Sequence, residues 1–153
     1  MVYIRRANIN DLNSIQELNN TLFDLEFNNY DDTLKQGWPF LKDGKEYFEY
    51  AIKNELVLVG EVDEKIVGYL AGTISEKLSY LTESFAEIDN MCVNEEYRSL
   101  GIGTLLIDEF KKYCKEKNIQ NIKVTAYAKN SKAIQFYMKN GFEDYNVTLR
   151  YKV

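Results

Sequence analysis

The sequence predicts an α/β fold, a mixed sheet flanked by about four helices, in a single domain spanning residues 1–153. Three observations carry this. Stretches with strand-like alternation interleave with stretches whose apolar residues recur three and four apart, so the two secondary-structure periods succeed each other along the chain. Apolar residues make up 45% of the chain and charged residues 28%, with one proline and no low-complexity tract, which is the composition of a packed domain. A chain of 153 residues buries roughly 70% of the surface it exposes when unfolded, so ordinary packing suffices without disulfide or metal.

The elements follow in order. Val2-Tyr3-Ile4-Arg5-Arg6-Ala7 alternates as an opening strand, and Asn10 offers an N-cap to a helix with Leu12, Ile15, Leu18 and Leu22 on one stripe. After the aromatic and acidic run FDLEFNNYDDTLKQGWPF, a second helix is predicted around KEYFEYAIKN. ELVLVGEV and KIVGYLAGTIS, joined through Asp63-Glu64-Lys65, form a hairpin. FAEIDNMCVN, at about residues 85–94, leads through YRSLGIGT into a helix from Gly103 with Leu106, Phe110, Tyr113 and Cys114 on its inner stripe. NIKVTAYA supplies a further strand, KNSKAIQFYMKNG a short helix stopped by Gly141, and FEDYNVTLRYKV a closing strand of strong β character.

Composition also excludes function classes. A formal charge of −5 with scattered basic residues argues against a nucleic-acid surface. No run approaches the roughly 18 apolar residues of a membrane span, and MVYIRRANIN lacks the apolar stretch of a signal peptide, so a cytoplasmic protein is expected. Cys92 and Cys114 read as buried reduced thiols. There is no histidine, which removes Ser-His-Asp and Cys-His chemistry and most transition-metal sites; no metal is expected.

The two glycines of YRSLGIGT stand where a strand gives way to a helix. A dinucleotide fingerprint needs a small residue where Leu106 stands, and a P-loop needs a lysine directly after its last glycine, where Thr104 stands. Neither fits. Arg98-x-x-Gly101-x-Gly103 instead suits a pyrophosphate cradle, bare backbone N–H groups at the positive end of a helix with a guanidinium beside them. Taken alone, the glycines read sooner as a tight turn packed on a strand than as a cradle.

The loop is not alone. Together with Asn130-Ser131-Lys132-Ala133-Ile134-Gln135-Phe136-Tyr137 and Gly141-Phe142, it resembles the two motifs of the GNAT superfamily of acyl-CoA-dependent N-acyltransferases, in the same order. The resemblance is strong over residues 85–142 and weak before about residue 55. It implies a mostly antiparallel sheet with one splayed strand pair, and acetyl-CoA as cosubstrate. The coenzyme would lie against Met91, Cys92 and Val93, with bonds to the backbone of Met91 and Val93. The loop Arg98-Ser99-Leu100-Gly101-Ile102-Gly103-Thr104 would hold its phosphates, and Asn130, Ala133 and Tyr137 would line the rest.

By the same resemblance Tyr137 is the acid that protonates the departing thiolate, although its i, i+4 spacing from Ala133 also suits a core ring. Glu87 and Asp89, two apart on one strand, share a face if pairing is regular, and either is a candidate proton relay. Glu87 is slightly preferred. Cys92 should face away from Asp89 unless a bulge intervenes, which favours direct transfer over an acyl-cysteine. Acids and aromatics at Phe27, Tyr30, Asp31, Asp32 and Trp38 suit a small cationic amine as acceptor. The alternatives are a protein N-terminal or lysine acetyltransferase and a non-catalytic acetyl-CoA sensor. The β-rich end of the chain is compatible with a homodimer.

Overall fold

Asp63 and Glu64 both adopt the left-handed conformation, with φ of 49° and 64°, and close the central hairpin as a two-residue primed turn whose twist matches its strands. The strands it joins are β2 (Leu56–Val62) and β3 (Lys65–Ile74), with β1 (Val2–Arg6) on one side and β4 (Phe85–Val93) and β5 (Asn121–Val124) on the other. The computed structural model of the chain describes residues 1–75 and 77–153. The sheet order is β1-β2-β3-β4-β5. Neighbours are antiparallel except for the parallel pair β4 and β5. Four helices flank it: α1 (Leu12–Asn29), α2 (Lys42–Asn54), α3 (Ile102–Glu116) and α4 (Ser131–Lys139). The mixed, mostly antiparallel architecture is the one expected.

Both faces of the sheet are buried, which is why β2 reads as a continuous apolar run. Leu56, Leu58, Leu70, Ala86 and Ile88 pack under α3 against Ile102, Leu106, Ile107 and Phe110. Val57, Val59, Tyr69, Ala71 and Cys92 pack under α1 and α2 against Ile15, Leu18, Phe48 and Ala51. Glycines seat α3 on its face. A Cβ at Gly60 would lie 2.8 Å from Cγ2 of Ile102, and one at Gly72 would lie 2.6 Å from the Phe110 ring.

Three expectations are corrected. The cap before α1 is Asn8, not Asn10: the Asn8 side chain accepts from the Asn10 N–H and the Asp11 carboxylate accepts from the Asn8 N–H. Arg5 pairs with Asp11 at 2.8 Å and with Glu61 at 2.7 Å, which ties this box to the sheet and starts the chain in a 3-10 turn before the helix. Of the strand expected over residues 121–128, only Asn121–Val124 pairs. Residues 142–153, expected to close the sheet, form no strand. Gly141, by contrast, does end α4, at φ of 94°.

A relay of buried polar groups joins α1 and α2 to the sheet. Asn19 of α1 donates to the Tyr69 hydroxyl (2.8 Å), Tyr69 donates to Oδ1 of Asn90 (2.5 Å), and Asn90 donates to the Tyr47 hydroxyl of α2 (3.0 Å). Tyr69 and Asn19 are both buried, so each bond replaces one that water would otherwise make. Tyr69→Phe leaves the Asn19 amide and the Asn90 carbonyl without their shared partner. The expected cost is about 1–3 kcal/mol, read in a thermal scan as a midpoint lowered by roughly 3–10 °C. An unchanged midpoint would show that the relay contributes nothing to stability.

Candidate active site

Parallel pairing between β4 and β5 runs from Phe85↔Asn121 to Ile88↔Val124 and stops, while β4 continues to Val93. Opposite β3, Ile88 pairs with Gly72 and Asn90 with Ala71, so Asp89 is the extra residue of a β-bulge. The bulge inverts the alternation of β4. Before it, Ala86 and Ile88 face α3; after it, Met91 and Val93 pack on that side, and Cys92 turns to α1 and α2. The result is a stretch of β4 with one edge facing no strand among the described residues, and backbone groups there available to a ligand.

That edge runs into the glycine loop. Residues Glu95–Leu100 form a 3-10 turn capped by the Asn94 side chain, and Gly101 follows at φ of 73° as the residue before α3. No described side chain caps α3, so N–H groups of its first turn point outward from the positive end of the helix. Nothing described lies within 4 Å of where a Gly101 Cβ would be. Ser99, Leu100 and Gly101 are exposed, Gly103 and Thr104 partly so, and Ile102 is buried. The Arg98 Nε donates to the Val93 carbonyl at 3.1 Å, which fixes its guanidinium between the β4 edge and the helix end. The positive end of α3 with the Arg98 guanidinium beside it suits an anion.

Gly103 has a second role. A Cβ there would lie 2.8 Å from Cζ of Phe136, so this glycine lets α4 close onto the start of α3. The α4 N-cap is Asn130, whose Oδ1 accepts from the Ala133 N–H at 3.2 Å, leaving its amide nitrogen for another partner. Tyr137 is held between Phe136 and Phe142, with ring centroids at 5.4 and 5.5 Å. Burial, and to a lesser degree the charge of Glu26, push its phenol up to about 12, so it stays protonated through neutral pH. It is a donor and not a base.

Asp89 and Glu87 both lie on the α1 and α2 side. Glu87 pairs opposite Thr73, and the Thr73 hydroxyl donates to the Asp89 carboxylate. Surrounding protein, with smaller contributions from Glu87 and Glu55, raises Asp89 above its ordinary range even though its rim remains exposed; the Thr73 bond opposes the rise. Glu87 is 4.0 Å from Lys123 of β5. The expected opposition of Cys92 and Asp89 does not hold, because the bulge intervenes. Cys92 is set aside for another reason: it is buried, and burial pushes its thiol up to about 11, so little thiolate forms at neutral pH.

The acidic and aromatic segment divides. Phe27 lies in the last turns of α1 and is partly buried; Trp38, also partly buried, stacks on Phe23 at 5.5 Å and packs with Tyr47 and Phe48 against the core beneath α1. Tyr30 stacks on Tyr127 at 5.8 Å, and the Tyr127 hydroxyl donates to Asp31 at 2.8 Å. Asp31 also accepts from the Thr33 N–H and hydroxyl and lies 3.8 Å from Arg150, so its carboxylate organises the loop and is held below the usual range, first by Thr33. Asp32 is exposed and bonds to no other described residue. One residue, Tyr127, escapes the sequence reading, and a second, Glu26, enters it only within the stretch Phe23-Asp24-Leu25-Glu26-Phe27 of the acidic and aromatic run. Tyr127 lies just past the paired part of β5, and Glu26, in the last turn of α1, is raised by burial and by Asp31. Only the acidic and aromatic character of the run hints at Glu26. Among the described residues no group of three or more His, Cys, Asp or Glu is placed to hold a metal ion, and no helix is long and apolar enough to cross a membrane.

Comparison with known proteins bears on the family and the fold. Residues 13–142 match the Acetyltransferase (GNAT) family. An N-alpha-acetyltransferase of Sulfurisphaera tokodaii is 29% identical over 157 residues, 97% of this chain and 84% of that protein. Among solved structures, the tetramutant of the BH1408 protein from Bacillus halodurans superposes with a TM-score of 0.87 at 25% identity, covering 99% of each chain. AAC(6')-Iy in complex with the bisubstrate analog CoA-S-monomethyl-acetylneamine superposes with a TM-score of 0.75 at 16% identity, covering 100% of this chain and 98% of that one.

The position of Asp89 makes its titration informative. A carboxyl whose pKa is raised by its surroundings releases its proton above the roughly 3.9 of a free aspartate, and the Thr73 hydroxyl is the bond that limits the rise. In Thr73→Val, carbon-detected NMR should place the Asp89 midpoint higher than in the parent protein. A midpoint that is unchanged or lower would remove Thr73 from the electrostatics of the site.

Proposed function

The chain belongs to the Acetyltransferase (GNAT) family, and from that premise we propose that it transfers the acetyl group of acetyl-CoA, by direct attack, to a primary amine of a small cationic acceptor. The observation that carries this reading is the meeting of an uncapped α3 N-terminus, with open space at Gly101, and the strand-free edge of β4. Pyrophosphate suits the N–H groups of Ile102, Gly103 and Thr104 with Arg98 beside them, and Ser99 and Leu100 shape the rim. Backbone groups at Met91 and Val93 suit the amides of the pantetheine arm, with the Val93 carbonyl already shared with Arg98. The free amide nitrogen of Asn130 serves the same arm, and Ala133 leaves room beside it.

Transfer forms an N–C bond between the amine and the carbonyl carbon, breaks the C–S bond, and requires the amine to lose a proton and the sulfur to be stabilised as it leaves. Tyr137 supplies the donor. A phenol near 12 is a weaker acid than a thiol near ~8.5, so its hydrogen bond to the thiolate matters more than complete proton transfer. Asp89, whose carboxyl is raised above its ordinary range by burial, or Glu87 beside it, relays the amine proton to water. Cys92 takes no part as an acyl carrier.

The acceptor end is the wall formed by Glu26, Tyr30, Asp31, Asp32 and Tyr127, where carboxylates and ring faces favour a cation. The acetylneamine portion of the AAC(6')-Iy complex supports a small polyamine-like acceptor. A second reading, transfer to the α-amine of a protein, is favoured by the name of the Sulfurisphaera tokodaii relative. A panel of polyamines, aminoglycosides and short peptides, read by release of free thiol from acetyl-CoA, separates them. Turnover confined to peptides would replace the small-acceptor reading; no turnover with any amine would overturn both. With the best acceptor, Tyr137→Phe is expected to lower kcat about 10²-fold with acetyl-CoA affinity nearly unchanged. Full turnover in this variant would reduce the phenol to packing.

A further inference from the structure

The polar relay that braces α1 and α2 runs in one direction. Nδ2 of Asn19 donates to the Tyr69 hydroxyl, Tyr69 donates to Oδ1 of Asn90, and Nδ2 of Asn90 donates to the Tyr47 hydroxyl. Each group gives its donor to the next, so the Tyr47 oxygen already accepts a bond while its own O–H proton is still to be placed. Among the described residues that proton has no acceptor. Bonds aligned head to tail polarise one another, which makes the last O–H a better donor than a lone phenol. The ring is fixed as well: its centroid lies 5.6 Å from that of Trp38 and 4.8 Å, edge to face, from that of Phe48. A partly buried O–H held in one place calls for an acceptor beside Asn90.

The bulge decides what lies there. Thr73 follows Tyr69 and Ala71 on the α1 and α2 face of β3 and donates to Oδ2 of Asp89, so Asp89 and Asn90, consecutive in the chain, turn to the same side. Oδ1 of Asp89 bonds to none of the described residues. Burial first, and then the charge of Asp89, push the Tyr47 phenol up to about 12; Glu55, directly after α2, and Glu87 add to the rise, and the Asn90 bond opposes it. Its proton therefore stays in place at neutral pH. Lys123 of β5 pairs with Glu87 at 4.0 Å. We propose that Tyr47 is a positioning residue for acetyl transfer: its O–H and the free Oδ1 of Asp89 hold between them the water that takes the proton from the acceptor amine. This step rests on the acetyl-transfer reading above. The water accepts from Tyr47 and from the ammonium and donates to Asp89, and three polar partners are what an ordered water needs. An N–H bond breaks and an O–H bond forms on the water, which passes a proton of its own to Oδ1 of Asp89; the exposed rim of the carboxyl then returns it to solvent. The nitrogen keeps its electron pair for attack on the carbonyl carbon.

Asp89 must be ionised to accept the proton, and a donor that reaches its charged form holds its pKa down. Tyr47→Phe removes that donor and keeps the ring. In this variant the Asp89 midpoint, read by carbon-detected NMR in the free protein, is expected to rise. The acid limb of kcat/KM should move to higher pH with it, while kcat falls about tenfold and acetyl-CoA affinity is unchanged. Tyr50→Phe, which removes an exposed phenol of the same helix, should change none of these. A role confined to packing would lower thermal stability and leave both the midpoint and the limb in place, and that result overturns the proposal. Should Tyr47→Phe fail to fold, 3-fluorotyrosine at position 47, a stronger donor of nearly the same shape, must move the midpoint down; a midpoint unmoved or raised overturns the proposal equally. The titration needs no turnover, so the two readings fail separately. A parent protein inactive toward every amine overturns acetyl transfer and this step together, whereas an active parent with full turnover in Tyr47→Phe overturns the role of Tyr47 alone.

Discussion

The one extra residue in β4, Asp89, is the constraint on which the rest of the molecule depends. Without the bulge, regular alternation would turn Asn90 toward α3 and Met91 toward α1 and α2. With it, Asn90 instead reaches the Tyr69 and Tyr47 hydroxyls, and Met91 and Val93 join the packing under α3. The same insertion bends the strand, and parallel pairing with β5 ends at Ile88, one residue before it. The open edge, the buried polar relay that braces it and the raised carboxyl beside it all follow from a single departure from strand period.

The cleft is held from two sides by contacts that are themselves close. On one side, α1 and α2 are tied to the bulge through Asn19, Tyr69, Asn90 and Tyr47. On the other, α4 rests Phe136 on Gly103, which packs the helix bearing Tyr137 against the start of α3. A side chain at Gly103 would therefore disturb the proposed acid, Tyr137, as well as the proposed phosphate cradle. Rigid elements on both flanks suit a reaction whose main demand is the alignment of a nitrogen, a carbonyl carbon and a proton donor.

Elements set by local chemistry are legible in the sequence. Asp63-Glu64 marks the hairpin, Gly141 the end of α4, and Gly101 and Gly103 the start of α3. What tertiary contacts decide is not legible. Nothing in FAEIDNMCVN distinguishes a bulged strand from a regular one, so alternation alone misplaces Cys92, although its exclusion stands on burial. Asn8 displaces Asn10 as cap because Arg5 holds Asp11 in place, a contact with the sheet that no local pattern encodes. Trp38, expected at the acceptor, is partly buried and packs against Phe23, Tyr47 and Phe48 at the edge of the core beneath α1. The alternation of residues 145–153 is that of a strand, yet they form no strand in the structure.

Hydrogen exchange with and without acetyl-CoA tests the central claim, that the bulge opens β4 to receive the coenzyme between its free edge and the α3 N-terminus. Slowed exchange is predicted on addition of acetyl-CoA at amides of residues 91–93 and 102–104 together, with the paired stretch 85–88 unaffected. Protection that leaves both segments unchanged while acetyl-CoA demonstrably binds would contradict it, and would place the coenzyme elsewhere on the molecule.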